Sequence, residues 1–158
     1  MSDPDANTTP TIYDWLGGAD ALHRLTEVFY GHVREDPVLA PVFAGMDADH
    51  PQHVAVWLGE VFGGPADYSA DRGGHAHMAS RHLGRRITEE QRQRWVTLLM
   101  QTADEAGLPT DPEFRAVFAS YVEWGSRMAL IYSGPNPPPV ADAPMPRWAW
   151  NQTPPWTR

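Results

Sequence analysis

The chain has 158 residues, twelve basic groups that are all arginine, no cysteine and a net charge of −8. That length suits one domain with a real core. The missing lysine and cysteine exclude Schiff-base chemistry, a P-loop, disulfides, thiolate zinc, iron–sulfur clusters and thioether haem attachment. The acidic balance argues against a nucleic-acid groove. Seven histidines and seven tryptophans are left as the residues to trace.

Residues 1–11 are polar and proline-bearing, which predicts a flexible arm. No basic start or apolar run marks them as a secretory signal, and no stretch is long enough to span a bilayer, so a cytoplasmic protein without membrane attachment is expected. "GGADALHRLTEVFYGHV" predicts a helix, with Leu22, Leu25, Phe29 and Val33 at helical spacing after Gly17-Gly18. Asp36-Pro37 interrupts it, and a short kinked apolar piece carrying Phe43 follows.

Pro51 opens the clearest helix, in which Val54, Trp57, Leu58, Val61 and Phe62 form one apolar stripe. Gly63-Gly64-Pro65 stops it. Residues 66–76 read as a glycine-rich loop, and a short helical turn around Met78–His82 ends at Gly84. Thr88 and Gln91 form a capping box before a helix carrying Trp95, Leu98, Leu99, Thr102 and Ala106. Asp111-Pro112 starts the last long helix, through Phe114, Val117, Phe118, Tyr121 and Val122, which fades at Ser133-Gly134-Pro135. The body is therefore expected to be all-α, with four main helices over residues 12–134. Residues 135–158 form a tail rich in proline and tryptophan (Trp148, Trp150, Trp156), which either docks a partner or folds back over the body.

The histidines sort by context. His23 and His32 fall on solvent flanks, and His75 and His77 read as solvated loop residues, since two ligands alone make a weak metal site. His50 and His53 flank the start of an apolar stripe, either as cap residues or as a polar gate. His82 lies four residues after Met78 and just before Arg85-Arg86. A short segment of that kind could hold a satisfied core imidazole, or present one to iron with cations beside an acidic cofactor edge.

The ordered series "YDWLGGADALHRLTEVFYGHV", "DPVLAPVFAG", "WLGEVFGGP", "YS", "HMASRHLGRRIT" and "RWVTLL" resembles the group II truncated haemoglobins over about residues 11–134. The resemblance implies a two-over-two helical sandwich and a haem b cofactor. It implies His82 as proximal iron ligand. Tyr30 and Trp95 would be distal donors, with His50, or His53 one turn away, at the distal gate and Val54 and Trp57 on the distal wall. Phe43 takes the position of the pocket aromatic, which is tyrosine or histidine in many group II members, so one hydrogen bond is missing here. Leu58 and Met78 would pack on the cofactor. Tyr68 and Arg81 would meet the propionates, with Arg85 or Arg86 as the further cation.

The implied function is reversible binding of dioxygen, CO or NO, in oxygen transport or storage. The alternative is a haem redox enzyme, an NO dioxygenase or a peroxidase-like protein, served by an external reductase. A homodimer is left open by the sequence.

Overall fold

A computed structural model describes residues 9–140, 145–150 and 154–155. Among them every regular element is a helix: α1 (Ile12–Leu16), α2 (Gly18–Glu35), α3 (His50–Val61), α4 (Asp67–Arg72), α5 (Gly74–Ser80), α6 (Glu89–Glu105) and α7 (Pro112–Ser133).

The boundaries follow local chemistry. Thr11 caps α1 by accepting from the Asp14 amide at 3.0 Å. Gly17, at φ +113°, lets the chain turn at once into α2, and a Cβ there would meet Ala21 Cβ at 2.9 Å. α2 ends at the extended Asp36, the residue before Pro37. The capping box at α6 forms as the sequence predicts, with the Gln91 amide on Thr88 Oγ1 and the Thr88 amide on Gln91 Oε1. Asp111 starts α7 by accepting from the Phe114 amide at 2.9 Å.

α2 packs on α3, α6 packs on α7, and α2 also meets α6, giving two helix pairs layered on one core. Leu22, Leu25, Phe29 and Val33 of α2 face Leu58, Val61 and Phe62, while Leu99, Ala103, Phe114 and Phe118 close the other side. The irregular segment after α2 is held by Asp36, which accepts from the Val38 and Leu39 amides and from Arg94 at 2.7 Å. Burial alone would raise the Asp36 carboxyl, but those donors more than offset it and hold the group below its ordinary value.

Two expectations are corrected here. Residues 66–76 are not a loop but α4 and the start of α5, separated by Gly73 at φ +87°. The expected turn around Met78–His82 is the end of α5, and His82 lies in the turn just beyond it. α4 is anchored by a feature that spacing does not reveal. Glu60, fully buried, accepts from the Ser69 amide at 2.8 Å and from Ser69 Oγ at 2.5 Å. Glu60→Ala removes the acceptor from both donors. It is expected to cost about 1–3 kcal/mol, read as a lower denaturation midpoint, with a smaller loss for Ser69→Ala.

The tail lies against the body where it is described. The Trp148 amide donates to the Val61 carbonyl at 2.7 Å, and Trp150 Nε1 donates to the Pro10 carbonyl at 2.6 Å. Trp148 packs on Tyr121 and Trp124, and Trp150 meets Trp15 edge-on at 6.1 Å. Trp156 falls outside the described residues. Ending the chain at Pro135 is expected to lower stability by about 2–4 kcal/mol, from two partly buried indoles. Unchanged thermal unfolding would contradict that packing role.

Candidate functional site

Between α2, α3, α5, α6 and α7 lies a largely apolar cleft of about 190 Å³. His82 borders one side, next to Met78. Its Nδ1 donates to the Met78 carbonyl at 2.9 Å, which leaves Nε2 as the nitrogen with a free lone pair. Burial lowers the His82 pKa, with Arg85 and Arg81 adding to the effect and the Met78 bond opposing it. A neutral, oriented imidazole is what a transition metal needs from histidine.

Tyr30, His50 and Trp95 also border the cleft. His50 Nε2 and the Tyr30 hydroxyl are 3.1 Å apart, with the rings edge-on at 4.8 Å. Burial pushes the Tyr30 phenol up, and a hydrogen bond with Trp95 offsets part of that, so the phenol keeps its proton. His50 is pushed down to about 4, first by burial and then by Arg81, His53, His82 and Arg85. It is neutral at physiological pH and takes part in the Tyr30 pair uncharged. Phe43 closes the corner at 5.6 Å from Tyr30, and Phe29 braces Trp95 at 5.4 Å. Val54, Trp57 and Leu58 supply the α3 wall.

His50 and His53 differ in their partners. His53 also touches the cleft, but its Nε2 donates to Asp49 at 3.0 Å while its Nδ1 accepts from Arg72. Both of its nitrogens are thus engaged at the rim, whereas His50 turns inward to Tyr30. Arg81 and Arg85 border the cleft. Arg86 does not; its backbone, at φ +54°, is tied to the Ser133 carbonyl. Tyr68 is buried under Trp57 with ring centroids 5.0 Å apart, and Arg81 and Arg72 lie near enough to temper the effect of burial on its phenol. Among the described residues, no three histidine, aspartate or glutamate side chains converge on a metal-ion site.

The structure adds contacts and residues that the sequence reading did not assign to the site. Trp57 Nε1 donates to the Tyr121 hydroxyl at 2.6 Å, and Tyr121 itself reaches the cleft. Arg92 also borders it, but its guanidinium is held by Glu89 and Glu123. The i, i+3 spacing of Glu89 and Arg92 was the one available signal for that clamp. His75 is not a solvated loop residue. It packs against Trp57 and Tyr132, each at 5.9 Å, and its Nδ1 is buried without a partner.

An apolar cleft lined by a neutral imidazole, hydrogen-bonding groups and arginines fits haem in ligand and charge. Comparison with known proteins agrees. The chain belongs to the bacterial-like globin family, whose model matches residues 11–118. It is 30% identical to the group 2 truncated hemoglobin YjbI of Bacillus subtilis over 91 residues, covering 58% of this chain and 68% of that protein. Against the group 1 truncated hemoglobin GlbN of Nostoc it is 37% identical over 59 residues, 37% of this chain and only half the length of that relative.

Among solved structures, the hemoglobin of the thermophilic phototrophic bacterium Chloroflexus aurantiacus superposes with a TM-score of 0.67 at 31% identity, covering 77% of this chain and 98% of that one. The truncated oxygen-avid haemoglobin of Bacillus subtilis gives 0.67 at 26%, covering 77% of this chain and 99% of that one. The truncated-globin fold and its group II neighbours are therefore as the sequence resemblance implied, and the family implies a haem cofactor and diatomic ligands. No helix among the described residues is long and apolar enough to cross a membrane.

Proposed function

We propose that the chain binds haem b in this cleft, where His82 Nε2 would hold the iron, and that it binds dioxygen reversibly. The observation that carries the reading is that two built features border one cleft. One is an imidazole locked by the Met78 carbonyl; the other is the Tyr30–His50–Trp95 cluster bordering the same apolar space. When bound, haem would supply an iron able to take a diatomic gas.

The chain supplies the rest. Apolar Val54, Leu58 and Phe43 keep water scarce, so each polar contact inside is strong. Trp95 Nε1–H, which here bonds to Tyr30, and Tyr30 O–H would be the donors for partial negative charge on a gas held in the cleft. His50, uncharged, sets which way the Tyr30 proton points. If His50 donates from Nε2, Tyr30 is free to donate into the cleft; if His50 accepts, Tyr30 is occupied. Arg81 and Arg85 are the cations for the acidic edge of the cofactor, with Tyr68 beneath Trp57 as the polar contact on that side.

The test is to equilibrate the haem-loaded ferrous protein with dioxygen, then with CO. The expected result is a reversible spectral change with oxygen and a clean shift with CO. Oxidation to the ferric form on first contact with oxygen would contradict reversible binding. Sustained consumption of NO with a supplied reductase would instead establish a dioxygenase.

A further inference from the structure

The tryptophans and tyrosines of this chain are not spread evenly through its core. On α7, Phe114 and Phe118 pack with Phe62 deep between the helices, with Phe114 and Phe118 stacked at 5.4 Å. Further along the same helix the aromatic residues become oxidisable. Tyr121 borders the cleft and accepts from Trp57 Nε1, also on the cleft wall, at 2.6 Å. Tyr121 meets Trp148 of the tail at 5.3 Å, Trp148 meets Trp124 at 5.5 Å, and Tyr121 lies 6.4 Å from Trp124 directly. Trp124 is 40% exposed, one of the few large apolar side chains on the surface among the described residues. A chain of rings in contact thus runs from the cleft to solvent, directly from Tyr121 to Trp124 and in parallel through Trp148 of the tail.

We propose that Trp57, Tyr121, Trp148 and Trp124 form a relay that carries oxidising equivalents from the haem cleft to the surface. There Trp124 takes electrons from phenols or aromatic amines too bulky to enter. The proposal rests on the haem-binding reading above. The oxidant is hydrogen peroxide, which accepts two electrons and two protons to give two waters. Each electron leaves the cleft wall at Trp57 and is replaced, across the Tyr121 ring, from Trp148 and then Trp124. A phenol at the surface refills Trp124, releases its proton to solvent and becomes a phenoxyl radical. Two phenols are consumed per peroxide, and the two protons released balance the two taken up.

The chemistry of the links suits this direction of flow. Indoles can carry positive charge without losing a proton. Burial keeps the proton on Tyr121, so it bridges the indoles rather than holding the charge. The protein's net charge of −8 favours a cation at its surface. The same residues would not serve ordinary reduction of ferric iron, because an indole does not readily accept an electron.

The experiment uses the full-length, haem-loaded protein with one equivalent of hydrogen peroxide and a nitroso spin trap, the adduct being mapped by peptide mass spectrometry. The expected result is an adduct chiefly on Trp124, at least fivefold weaker in Tyr121→Phe and absent from the haem-free protein. In Trp124→Phe the adduct moves to Trp148, and peroxide-driven oxidation of a polymer-tethered phenol falls about tenfold while the haem spectrum is unchanged. This exposed substitution keeps the test decisive if Tyr121→Phe fails to fold. An adduct confined to Tyr30 or Trp95, or equal Trp124 labelling with and without haem, overturns the relay and leaves haem binding intact. Absence of a haem spectrum before peroxide is added overturns the reading beneath it, and the relay falls with it.

Discussion

The His82→Gly protein is expected to fold and to lose its haem. His82 is in the turn after α5, and its side chain makes one internal hydrogen bond, to Met78, so its removal leaves the helical core in place. The loss falls on the cofactor. Removing a residue that merely orients a metal ligand costs about 10–100-fold in metal affinity, so removing the ligand itself is expected to exceed the upper end. Gel filtration in the presence of a competing apoprotein should transfer haem from the variant and not from the parent. Added imidazole should restore retention and the parental ferrous spectrum, because the cavity left by the side chain admits the free ring. Full retention in His82→Gly without imidazole would place the axial ligand elsewhere.

The second large effect concerns dissociation of dioxygen. Trp95→Phe removes one donor while its ring still packs on Phe29. A hydrogen bond to charge contributes roughly 1.5–3 kcal/mol, so the oxygen off-rate should rise about tenfold or more. Tyr30→Phe reports on the other donor, and its outcome depends on His50. With His50 neutral down to about pH 4, the 3.1 Å contact is either N–H to phenol oxygen or O–H to ring nitrogen. A large rise in the Tyr30→Phe off-rate means that His50 donates and the phenol is free for the ligand. A rise in Trp95→Phe alone means that Tyr30 is committed to His50. An unchanged off-rate in both single variants and in the double variant would refute the distal assignment. Because the two donors touch, their effects need not add.

Much of this was legible before the structure. The apolar stripes of α2, α3, α6 and α7 and the Thr88–Gln91 box are local patterns, and local patterns survive folding when tertiary context agrees with them. Residues 66–80 misled because glycine marks both loops and helix ends. Gly73 and Gly74, both at positive φ, separate two short helices instead of filling a loop. α1, a single capped turn and a half, is too short for its period to show. His50 and His53 stand three residues apart near one helix start, so a modest rotation decides which faces inward, and no spacing rule fixes that. Trp57 and Tyr121 are 64 positions apart in the chain. Their bond, like the seating of Trp148 against α3 and α7, is made only when distant segments meet. His75 gave no sequence signal at all for its packing against Trp57 and Tyr132.

The most direct test of the central claim is a titration of purified haem-free protein with haem, followed by absorption, with resonance Raman spectra of the ferrous product. The account predicts a sharp end point at one haem per chain and an iron–histidine stretching band that vanishes in His82→Gly. Unsaturable, non-specific haem uptake, or a ferrous product without an iron–histidine band, would contradict it.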